Sequence, residues 1–132
     1  MRMLVSALLL LTPALGAMAS AGGIRVDVLR CDYRKNPLGI EDSQPRLSWL
    51  VSGEERATVQ SACRVMAATA PEFLDAGEPD LWDSGKIASV DMHTRYEGKP
   101  LQSAQTVYWR VRVWDGGGRP SPWSDTATWT MG

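Results

Sequence analysis

The sequence is short of the residues that build metal and redox centres. Its 132 residues contain one histidine, His93, and two cysteines, Cys31 and Cys63, with no CxxC pair. A structural zinc site takes four such ligands, so a site built from protein groups alone has almost nothing to draw on, and no metal or other cofactor is expected. Two cysteines allow at most one disulfide. Charge of a single sign is missing as well: 14 Lys and Arg against 15 Asp and Glu give a net charge of −1. That balance offers no electrostatic hold on nucleic acid or anionic lipid, so neither is an expected partner. Phenylalanine occurs once against six tryptophans. Hydrophobic residues still make up 44% of the chain, enough to bury a core and to exclude a disordered segment.

Residues 1–21 read as a cleavable secretory signal. Arg2 opens the segment and Met3 to Leu11 is apolar except for Ser6. Pro13 and Gly16 then break the run, and Ala17-Met18-Ala19 or Ala19-Ser20-Ala21 supplies the small-x-small cleavage pattern. The run is shorter than the ~20 residues of a spanning helix, so no membrane attachment is expected after cleavage. Removal leaves 132 − 21 = 111 residues, 22–132, the size of one domain. The charge becomes 13 − 15 = −2, because Arg2 alone is lost. The expected location is secreted or periplasmic, where a disulfide can persist.

The mature chain carries short apolar runs every 8 to 15 residues, separated by Gly, Pro, Asp, Asn and Ser. That rhythm predicts an all-β antiparallel sandwich with seven strands. Expected strands cover 24–30, 46–51, 58–68, a short piece within 80–85, an edge strand over 90–96, then 106–114 and 123–131. Asn36-Pro37-Leu38-Gly39 reads as a turn, and Pro71 to Asp75 as one turn of helix with Pro at its first position. The clearest strand is Thr106 to Trp114. Val107, Trp109, Val111 and Val113 alternate with Tyr108, Arg110, Arg112 and Trp114, so one face is apolar and the other is not. Asp115-Gly116-Gly117-Gly118 follows as a hairpin turn.

Catalytic chemistry finds little support in these residues. Glu41 with Asp42, Glu54 with Glu55 and Asp80 with Asp83 are the close carboxylate groups. A glycosidase pair needs its two carboxyls held ~6.5–9.5 Å apart for inversion, with one raised in pKa by burial, and turns seldom provide that. His93 sits on an expected edge strand. Ser84 and Ser124 have neither an adjacent base nor a nucleophile elbow. The glycine run is followed by Pro120 rather than a helix, so it builds no phosphate cradle. No catalytic residue is expected. Trp49, Trp109 and Trp129 fall on apolar strand faces and read as core. Trp82, Trp114 and Trp123 are open to two readings: a cover for the sheet's outer face or a neighbouring domain, or, for Trp114 and Trp123 with Tyr108, a platform for sugar rings.

Several blocks resemble the N-terminal segment of bacterial α-L-rhamnosidases. They are Leu29-Arg30-Cys31-Asp32-Tyr33, Asn36-Pro37-Leu38-Gly39-Ile40, Pro45-Arg46-Leu47-Ser48-Trp49, Asp80-Leu81-Trp82-Asp83-Ser84-Gly85-Lys86, Tyr96-Glu97-Gly98-Lys99-Pro100-Leu101, Tyr108 to Asp115 and Ser121-Pro122-Trp123-Ser124. The resemblance covers essentially the whole mature chain. It implies a fibronectin type III-like (immunoglobulin-like) sandwich that precedes further β-domains and an (α/α)6 catalytic barrel. In the similar enzymes that barrel cleaves terminal α-L-rhamnose with inversion, and no position here matches its acidic motifs. The implied role is a non-catalytic accessory module whose partners are other domains of such an enzyme and rhamnose-containing glycans. An independent carbohydrate-binding module and an adhesion-type protein-binding domain are the alternatives.

The resemblance carries residue-level expectations too. Trp49 and Trp109 should face each other across the sandwich with Leu47, Val65 and Val111 nearby. Cys31 falls where similar sequences often have Cys, whereas Cys63 falls where they have an aromatic, which implies two unpaired thiols. Val107 replaces a family aromatic at a position that resembles a tyrosine corner. The Pro122-Trp123-Ser124 segment resembles half of the Trp-Ser-x-Trp-Ser element of cytokine-receptor fibronectin modules. Trp123 is therefore expected to stack on Arg110 or Arg112 outside the core.

Overall fold

The computed structural model describes residues 23–53 and 59–132. The expected signal segment lies outside these, as do Glu54, Glu55 and the first residue of the expected 58–68 strand. Eight strands are described: β1 (Arg25–Cys31), β2 (Arg46–Ser52), β3 (Gln60–Ala68), β4 (Trp82–Asp83), β5 (Ile87–Ala88), β6 (His93–Arg95), β7 (Thr106–Asp115) and β8 (Ala127–Thr130). The helix α1 spans Pro71–Asp75 and begins with its proline, as the sequence predicts. β1, β2 and β6 form one antiparallel sheet. β4, β3, β7 and β8 form the other, with β5 also on β3. Eight strands replace the seven expected because the 80–88 stretch pairs with β3 twice, on either side of a turn in which Gly85 takes φ +68.

Period-two patterning determines which side chains fill the space between the sheets. In β7 burial alternates over all ten residues, and Val107, Trp109, Val111 and Val113 are completely buried. Trp49 on β2 and Trp109 on β7 lie in one core with Leu47, Val65, Trp129 and Tyr96. Trp129 packs edge-on against Trp109 and Tyr96, with ring centres 6.3 Å and 5.7 Å apart. Cys31 and Cys63 are free, buried thiols in the same cluster. Burial pushes Cys31 up to about 12, with Asp32 adding to the shift, and pushes Cys63 up as well.

Two local features reshape this plan. Val26 and Cys31 are five residues apart, an odd spacing that would place them on opposite faces of a regular strand. A bulge between Asp27 and Arg30, with Val28 at φ 54, resets the phase so that both reach the core. The expected 36–39 turn does more than reverse the chain. Asn36 Oδ1 accepts from Thr128 N, the Pro37 carbonyl from Thr130 N, and Ile40 N donates to the Thr130 carbonyl. Ile40 and Met131 form a parallel bridge, so residues 36–40 leave the first sheet and close the edge of the second. Pro37 and Gly39 make the segment irregular, which hides this pairing from strand patterning.

Candidate interaction surfaces

The outer face of the larger sheet carries an alternating set of cations and aromatic rings. β3 and β7 pair Ala62 with Trp114, Arg64 with Arg112, Met66 with Arg110 and Ala68 with Tyr108. Trp123 lies over the middle of this face. Its ring centre is 5.0 Å from the Arg112 guanidinium and 5.8 Å from that of Arg64. Arg64 is in turn held by the Asp83 carboxylate at 2.6 and 2.9 Å. Of the two arginines expected beside Trp123, Arg112 makes the stack. Arg110 instead donates to Thr126 Oγ1 and pairs with Asp75 at the end of α1. Arg64 completes the stack from the neighbouring strand, a contact visible only once the strand register is known.

Trp123 belongs to no strand, which corrects the expected strand at 123–131 to the shorter β8. Pro120 and Pro122 remove two of the N–H groups that a ladder needs. Two serines replace the ladder. Ser121 N donates to the Val113 carbonyl while its hydroxyl accepts from Val113 N, and Ser124 does the same with Val111. The Ser-x-x-Ser spacing thus lays an extended arm along β7 and aims the indole between its serines outward. Arg112 Nε seals the arm by donating to the Ser121 carbonyl.

The three residues expected to form a sugar platform are only partly brought together. Tyr108 and Trp123 both pack on the small cluster of Met66, Ala68 and Leu74 beneath α1. Trp114 lies six residues further along β7 from Tyr108, roughly 20 Å at strand rise. The Lys86 ammonium covers its ring, 4.8 Å from the centre. A flat, open row of rings is therefore not what this sheet presents.

Several carboxylates have structural partners. Asp80 accepts from the Thr69 N–H and hydroxyl at 2.8 and 2.6 Å. Burial opposes its ionisation, but these bonds outweigh it and its pKa falls below the usual value. Asp83 is likewise lowered, chiefly by its bond to Arg64. Asp115 is lowered mainly by the Arg119 N–H, and with Gly117 N it closes the glycine turn. A glycosidase acid needs the opposite shift. Asp42 bonds Arg95 at 3.1 Å on the surface. His93 is exposed and faces the Arg46 guanidinium at 3.3 Å. Among the described residues no group of three or more His, Cys, Asp or Glu could hold a metal.

Two polar anchors escaped sequence reasoning. Gln60 is buried and accepts from Trp49 Nε1 at 2.9 Å. Its amide nitrogen donates to the Ser89 and Asp91 carbonyls at 3.0 and 2.7 Å, tying the segment that crosses between the sheets. Tyr96 donates its hydroxyl to the Lys99 carbonyl at 2.6 Å and stacks edge-on with Trp82. Burial pushes this phenol up to about 12, Asp80 adding to the shift. Tyr96 thus supplies a loop tether of the kind that Val107 lacks.

A groove of about 700 Å³ opens beside the arm, between residues 25–30 of β1 and residues 122–127, with Lys35 and Asn36 at one end. Trp123 lines it from the arm.

Two facing antiparallel sheets with a tryptophan-rich core define the chain as an immunoglobulin-like sandwich domain. A family model described as the Rha78A-like, N-terminal immunoglobulin domain matches residues 26–132, and the chain belongs to this family. It is 35% identical over 107 residues to an α-L-rhamnosidase of Formosa agariphila, covering 80% of this chain and 11% of that protein. A solved Streptomyces avermitilis α-L-rhamnosidase, complexed with L-rhamnose, superposes with a TM-score of 0.79 at 38% identity, over 83% of this chain and 11% of that one. The α-L-rhamnosidase structure from Dictyoglumus thermophilum gives 0.79 at 33% identity, over 81% and 12%. The chain thus spans about a tenth of the length of these relatives.

Proposed function

We propose that this domain is a non-catalytic accessory module of a secreted or periplasmic α-L-rhamnosidase-like glycoside hydrolase, docked against that enzyme's other domains. The carrying observation is the extent of the match: it takes in nearly all the described residues and only the N-terminal immunoglobulin domain of much longer enzymes. The chemistry agrees, because the candidate pair Asp80 and Asp83 is held ionised by hydrogen bonds that lower both pKa values. The purified chain should not hydrolyse aryl α-L-rhamnosides above background. Turnover that disappears on replacing Asp80, Asp83 or another carboxylate of this domain would refute the reading.

A further inference from the structure

The groove between β1 and the 122–127 arm gathers charged side chains of both signs beside the Trp123 indole. Its walls carry Arg25, Asp27 and Arg30 on one side and Trp123 and Asp125 on the other, with Lys35 at the end. The side chains of Arg25, Asp27, Lys35 and Asp125 have no hydrogen-bond or ion-pair partner among the described residues, although both signs of charge line one cleft. Formal charges there nearly cancel, 3 − 2 = +1, so neither a polyanion nor a polycation is selected. An indole is fixed beside these groups by the Arg64 and Arg112 guanidiniums. Its volume of about 700 Å³ lies within the ~300–1,000 Å³ of small-molecule sites.

We propose that this groove binds a neutral saccharide, stacked on or against the edge of Trp123, with Asp27 and Asp125 accepting from sugar hydroxyls and Arg25 and Lys35 donating to them. A hydroxyl both donates and accepts, so one ligand satisfies unpaired groups of both signs. An added β-strand fits less well. The Val28 bulge and the charges of Arg25, Asp27 and Arg30 are devices that guard a sheet edge against strand pairing. The site uses Trp123 without Trp114 or Tyr108.

The test titrates the full chain, labelled with nitrogen-15, with methyl α-L-rhamnopyranoside and, separately, methyl α-D-glucopyranoside. Saturable shifts of the 25–30 and 123–127 amides and of the Trp123 indole N–H are expected with at least one of them. Asp27→Asn and Asp125→Asn should each weaken that binding about tenfold, the loss of one charge-assisted hydrogen bond. Neither carboxylate has a side-chain partner among the described residues, so folding should be untouched, and the amide spectrum checks it. No saturable shift with either sugar, shifts confined to the Trp114 and Lys86 region, or unchanged affinity in both variants would overturn the proposal.

Discussion

Replacing Gln60 with Leu tests whether a single buried amide holds the two sheets together. The substitution keeps the side chain's approximate size and removes three hydrogen bonds, to Trp49 Nε1 and to the Ser89 and Asp91 carbonyls. The indole N–H would remain buried without a partner, which costs about 1–3 kcal/mol, and each carbonyl bond adds about 0.5–1.5 kcal/mol. The expected loss is therefore about 2–6 kcal/mol, a large part of the ~5–15 kcal/mol that stabilises an average domain. Urea unfolding followed by tryptophan fluorescence reads it as a lower midpoint at similar slope. A second background isolates the share of the indole. In Trp49→Phe there is no indole donor to strand, so Gln60→Leu should cost about 1–3 kcal/mol less there than in the parent. Equal costs in both backgrounds, or an unchanged midpoint in the parent, would show that the amide is not the anchor described.

Other consequences follow from the same geometry. Trp109→Ala should cost about 3–5 kcal/mol by denaturant midpoint, since a completely buried indole leaves a cavity between the sheets. Gly98→Ala should lower the melting temperature clearly, because a Cβ there overlaps Trp82 Cβ, the Leu81 carbonyl oxygen and the Tyr96 hydroxyl. Cys31 and Cys63 should resist thiol reagents in native buffer and react in urea, and rapid native labelling would contradict their burial. Asp80 and Asp83 have folded pKa values below their unfolded ones, so the stability they contribute is present above pH ~4 and is lost as the pH falls through the lowered values. Asp83→Asn should flatten that acid limb, and a midpoint independent of pH between 5 and 2 would count against it. Tyr96 shifts in the opposite sense. Its folded pKa of about 12 lies above the ordinary 10.0, so its contribution is present below pH ~10 and is lost as the pH rises toward 12.

Much of the fold was legible because period two is a strong signal where one face is buried. β7 shows this best, since residues 106–114 alternate in burial as they alternate in the sequence, and only Asp115, expected in the turn, extends the buried face with a charged residue. Placing Trp49 and Trp109 in one core needed only that alternation and the family resemblance. Three features lacked such a signal. The phase reset at Val28 comes from a bulge with no glycine to mark it. The arm at 121–124 behaves as a strand through serine hydroxyls, so its pairing is invisible to hydrophobic patterning. Gln60 looks like any polar residue at the start of a strand, and only the three-dimensional register brings it to Trp49 and the 89–91 carbonyls. The surface aromatics were the least legible. That Arg112 and Arg64 hold Trp123, while Arg110 serves Asp75 and Thr126, depends on cross-strand pairing that spans 48 residues from Arg64 to Arg112.

The central claim, a docking module rather than an independent enzyme, is tested most directly by a domain exchange. The Streptomyces avermitilis α-L-rhamnosidase would carry residues 26–132 of this chain in place of its own matching segment. Thermal unfolding and rhamnoside turnover would be compared with those of the parent enzyme and of the same enzyme lacking that segment. A chimera that unfolds in one cooperative step, with turnover close to that of the parent and above that of the truncated enzyme, is the predicted result. A chimera whose added domain melts separately, with turnover no better than the truncated enzyme, would contradict the account.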